Sequence, residues 1–68
     1  MTDTKAMEIA MVKADVKKSD LAKELGMSRG GLYNKMHNRS AFRISEVSTI
    51  KRVLGLTADE TTNIFFAD

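Results

Sequence analysis

The chain has 68 residues, no cysteine, no proline, four glycines and a formal net charge of +2. That length admits one domain with a small core, near the lower limit for independent folding. The missing cysteine excludes a disulfide or thiolate metal site and suits a reducing cytoplasm. No apolar run approaches the ~20 residues needed to span a bilayer, and the N-terminus M-T-D-T-K-A-M lacks the charged-then-apolar layout of a signal peptide.

In chain order, Thr4 to Ala14 reads as a first helix, with Ala6, Ile9, Ala10 and the stem of Lys13 in one stripe and Met7 and Met11 beside it. Thr2 or Thr4 is expected to cap it, and Asp3 favours its N-terminus through the macrodipole. Val16 then plugs the core. A second helix begins around Lys17 to Ser19 and runs to Leu25, with Leu21, Ala22 and Leu25 on one face. Gly26 follows at once, where a helix ends most cheaply in a left-handed residue. Met27 turns inward, and Ser28 is placed to cap a third helix, about Arg29 to His37, whose buried stripe is Leu32 and Met36. Helix, Gly-apolar-Ser turn and helix make a helix-turn-helix, the unit that lays its second helix in a DNA major groove.

Asn38 suits a left-handed helix end, and Arg39, Ser40 and Arg43 form a basic loop around a core anchor, Phe42. Ser45 is expected to cap a fourth helix carrying Val47, Ile50, Val53 and Leu54 on its buried face, ended by Gly55. Leu56 inserts, and Thr57 with Glu60 forms a capping box that opens a fifth helix. Its end bears Ile64, Phe65 and Phe66. Three bulky residues cannot all reach one small core, so this end is a candidate oligomer or partner contact; for one of them the alternative is a crowded core edge. The sum is an all-α fold of five helices.

Charge is unevenly spread. Residues 17–43 hold seven basic residues (Lys17, Lys18, Lys23, Arg29, Lys35, Arg39, Arg43) against Asp20 and Glu24, whereas the segments on either side are net acidic. The positive stretch coincides with the helix-turn-helix, as a phosphate-facing surface requires. Lys17 and Lys18 stand at the start of the second helix, where free N–H groups already attract a phosphate. On the third helix, Arg29 has the reach for guanine O6 and N7, Asn34 for adenine N6 and N7, and Tyr33 for a thymine methyl or a phosphate. Ser28 and Lys35 flank these, and Asn38, Arg39 and Arg43 follow in the loop. Of the paired glycines, Gly30 is read as permitting close approach to DNA and Gly31 as permitting tight packing on the second helix. His37 is the only histidine, with no second metal ligand near it. No paired carboxylates, nucleophile or phosphate-binding glycine loop supports catalysis, so neither an enzyme nor a cofactor is expected.

The order L-A-K-E-L-G-M-S-R-G-G-L-Y-N-K-M, then H-N-R-S, then I-K-R-V-L-G-L-T, resembles the Cro and repressor helix-turn-helix family of phages and bacteria (the XRE family) over roughly residues 16–66. It is most similar to small Cro-type proteins of phages of Gram-positive hosts. The resemblance implies a compact, lambda-repressor-like bundle of five helices. It implies a phosphate contact at Lys18, base contacts around Arg29, Gly30 and Asn34, and a phosphate clamp at Asn38 and Arg39. Two positions depart from the family pattern: Lys18 stands where glutamine is typical, and Gly30 replaces a side chain that normally reads DNA. The function implied is a genetic-switch regulator of the host cytoplasm, binding palindromic double-stranded operator DNA as a homodimer. The alternative on the same surface is a small modulator or antirepressor that captures a partner repressor protein.

Overall fold

The computed structural model describes residues 1–67. These form α1 (Thr4–Ala14), α2 (Lys18–Glu24), α3 (Arg29–Met36), α4 (Ile44–Leu54) and α5 (Ala58–Phe65), with no strand among the described residues. Every helix contributes to one core: Met7 and Met11, Leu21 and Ala22, Leu32 and Met36, Val47, Ile50 and Leu54, and Ile64 and Phe65, with Leu56 from the last turn.

The face of α1 is rotated from the sequence expectation. Met7 and Met11 are the buried pair, and Ile9 is 49 % exposed. Ile9 lies two residues from Met7, about 200° around the helix, so both cannot face inward. The unbranched thioether fills the irregular gap between several helices better than a β-branched side chain does. The cap also differs. Asp3, not Thr2 or Thr4, accepts the Ala6 N–H at 3.0 Å, which leaves the Thr4 hydroxyl free for a longer-range bond. α1 ends at Asp15, left-handed at φ 56°, a conformation that a short polar side chain tolerates.

The α2–α3 turn follows expectation. Gly26 has φ 67°, the Met27 N–H donates to the Ala22 carbonyl at 3.0 Å, and the Ser28 hydroxyl accepts the Gly31 N–H at 3.0 Å. α4 starts earlier than its expected cap: Arg43 is the N-cap and Ser45 lies inside the first turn. Glu46 supplies the missing capping bond by accepting the Arg43 N–H at 2.8 Å. At α5 the Thr57–Glu60 box forms as read, with bonds of 2.8 and 3.1 Å; the Thr57 backbone and hydroxyl hold the Glu60 carboxyl below its ordinary value.

Ile64 and Phe65 are buried at 4 % and 5 % exposure, so they are core residues and not free contacts. Phe65 meets the half-buried Phe42 edge to face, at 5.4 Å between ring centres, an arrangement favoured by the ring quadrupoles. Only Phe66 remains exposed of the three.

Candidate nucleic-acid interface

α2 and α3 pack against each other across the Gly26–Ser28 turn, and the sequence forces α3 to bury little. Only Leu32 and Met36 of its eight residues are buried; Arg29, Gly30, Tyr33 and Asn34 are exposed. A shallow groove between the start of α2 and the outer side of α3 is lined by Lys18, Arg29, Gly30, Leu32 and Tyr33. The structure therefore gathers four of the expected contact residues around one groove. Lys17 and Arg43 are exposed without lining it. Lys18 also lies 3.7 Å from the Glu8 carboxylate, with both side chains about half exposed, a geometry that holds neither strongly.

Tyr33 is braced. Its ring centre is 4.1 Å from that of His37, and the Arg39 guanidinium carbon is 5.5 Å from the Tyr33 ring centre. This cation–π and aromatic stack fixes an exposed tyrosine that would otherwise sample several rotamers. His37 as a brace went unrecognised in the sequence, although its i, i+4 spacing from Tyr33 carries the signal.

Two expected contacts are otherwise engaged. Lys35 places its ammonium 2.7 and 2.9 Å from the two Glu46 oxygens, with side-chain exposures of 19 % and 15 %. It is a tie between α3 and α4 and not a free cation. Desolvation at this site works against the ionised Glu46, but hydrogen bonds from the Arg43 N–H and Lys35, with the charges of Lys35 and Arg43, outweigh it and hold the carboxyl below its ordinary value. The Asn38 side chain is held at both its amide atoms by Thr2, which fixes its orientation and leaves one Nδ2 N–H as its remaining donor. The Ser28 oxygen accepts one bond as the cap of α3, leaving its O–H and a second lone pair free.

The paired glycines differ in their surroundings. A Cβ on Gly31 would lie 3.3 Å from the Ser28 Oγ and 3.7 Å from the Met27 Cβ, whereas one on Gly30 would meet only Ser28 Oγ, at 4.0 Å. Crowding by the turn that caps α3, and not by α2 itself, accounts for Gly31; nothing comparable accounts for Gly30.

A family model described as bacterial regulatory protein, Fis family, matches residues 1–37. That span is over half the chain and contains α1, α2 and α3 entire. The chain belongs to the Fis family of bacterial regulatory proteins. It is accordingly a helix-turn-helix regulator of transcription that binds double-stranded DNA. The Fis-family match includes the whole groove between α2 and α3 and stops at His37, before Asn38, Arg39 and Arg43. No curated protein and no solved structure matches the chain. Among the described residues, no helix is long and apolar enough to cross a membrane.

Proposed function

We propose that the protein is a Cro-like operator-binding regulator of a phage genetic switch, working in the bacterial cytoplasm as a homodimer. What carries this reading is the groove that unites Lys18, Arg29, Gly30 and Tyr33 on the outer side of α3. In it α3 enters the major groove, Arg29 pairs with a guanine and Asn34 with an adenine, and Tyr33 meets a thymine methyl or a phosphate. Lys17, Lys18, Arg39 and Arg43 face phosphates, which positions α3 without reading sequence. The Cro-like part of the reading rests on the sequence resemblance, whose V-L-G-L-T run at residues 53–57 spans the end of α4 and the cap of α5.

The test is a mobility-shift titration on the promoter region flanking the gene, at two salt concentrations. Binding is expected to fall steeply with salt, because each neutralised phosphate releases counterions. Arg29→Ala and Asn34→Ala should each cost about 1–3 kcal/mol and relax discrimination at one base pair. A salt-independent response, or unchanged binding by both variants, would sink this reading.

A second reading rests on the bare Gly30 position of α3 and on Phe66, 54 % exposed: an antirepressor that captures a partner repressor through the helix-turn-helix surface. Loss of the repressor's own shift on adding the protein, with no shift by the protein alone, would favour it.

A further inference from the structure

Asn38 lies one residue beyond His37, the C-cap of α3, in the left-handed region at φ 63°. Its side chain makes a reciprocal pair of bonds with the far end of the chain: the Thr2 N–H donates to Oδ1 at 2.8 Å, and Nδ2 donates to the Thr2 carbonyl at 2.9 Å. Thr2 is only 9 % exposed, so water replaces these partners poorly if they are lost. The Thr4 hydroxyl donates to the Met36 carbonyl at 2.6 Å, satisfying one of the acceptors that a helix end leaves orphaned. Between them the Asp3 N–H donates to the Ile64 carbonyl at 2.6 Å. Residues 2–4 thus tie the end of α3 to the end of α5.

The residue after Asn38 is Arg39, whose N–H donates to the Asn34 carbonyl at 2.8 Å and whose guanidinium lies over Tyr33. We propose that Asn38 and Thr4 are positioning residues, which lock residues 2–4 onto the end of α3 and thereby aim Arg39 and Tyr33 at DNA without touching it. The inference rests on the DNA-binding reading above. Its physical basis is preorganisation: a long cationic side chain whose backbone is already fixed loses less freedom on binding. The rival is the sequence expectation, in which Asn38 itself meets a phosphate.

The experiment compares operator binding by the full chain with that of Asn38→Gly, Thr4→Val, Thr4→Ser and the double variant Asn38→Gly/Thr4→Val, each checked for helical content. Glycine keeps the left-handed backbone and deletes the amide; valine keeps the shape of Thr4 and deletes its hydroxyl. We expect Asn38→Gly and Thr4→Val each to weaken binding about tenfold, the worth of one bond to a charged group. The slope of log affinity against log salt should become shallower by about 0.9 as the Arg39 phosphate contact is lost. Thr4→Ser should restore both, and the double variant should lose less than the two singles combined. A loss confined to Asn38→Gly would favour direct contact and overturn the proposal, as would lowered thermal stability with affinity and salt slope unchanged. Failure of the unmodified chain to bind any operator would instead overturn the DNA-binding reading, and this proposal with it.

Discussion

Gly30 is the residue at which folding and binding make opposite demands. Nothing in the fold needs a missing side chain there, since an added Cβ would meet only Ser28 Oγ, at 4.0 Å. Alanine in a helix is better than glycine by about 0.5–1 kcal/mol. Gly30→Ala should therefore raise the unfolding midpoint by denaturant titration, and it should weaken operator binding if the backbone approaches DNA at this point. Higher stability with unchanged affinity would remove close approach as the reason for this glycine. The sequence showed the pair Gly30-Gly31 but not the difference between them. That difference comes from Ser28, whose hydroxyl turns back toward Gly31 to cap α3.

The Lys35–Glu46 pair holds α3 to the start of α4, so the element presenting the groove is anchored at its far end. The Glu46 carboxyl is held below its ordinary value in the folded chain. A depressed carboxyl contributes stability above its unfolded value, and that contribution is lost as the pH falls through the folded value. Glu46→Gln should consequently flatten the acid limb of a stability–pH profile. Lys35→Met should cost about 1–3 kcal/mol at neutral pH by leaving a half-buried carboxylate without its charged partner, and a profile identical to that of the unmodified chain would contradict both. The helices themselves were legible from the sequence because apolar spacing, Gly26, Ser28 and the Thr57–Glu60 box are local signals. The bonds that engage Lys35 and orient Asn38 are not legible there, because their partners, Glu46 and Thr2, lie 11 and 36 residues away. No local pattern reports such a partner. The tilt of α1 toward Met7 and Met11 was hidden for a related reason: it depends on which neighbours crowd that face, and the apolar pattern alone fits two orientations.

At the scale of the whole molecule, Met1, Ile44 and Phe66 line one hollow together with Thr2, Asn38 and Phe42. If two copies meet there, Phe66→Ser should shift sedimentation toward the monomer while changing stability by no more than about 0.5 kcal/mol, as expected for an exposed site. A dimer unaffected by that change would place the contact elsewhere. The core carries a consequence of another kind. Three of its methionines, Met7, Met11 and Met36, are 0 %, 3 % and 1 % exposed, whereas Met27 is half-buried and Met1 is 73 % exposed. Dilute peroxide converts an accessible thioether to its sulfoxide and leaves a shielded one untouched. The five side chains are thus a graded set of chemical clocks, distributed from the chain end through the α2–α3 turn to the centre. Mass spectrometry during a peroxide time course should record Met1 first, Met27 next, and Met7, Met11 and Met36 together at the rate of cooperative opening. Bound operator should slow the last three, because a ligand that stabilises the folded state withholds the interior from the oxidant.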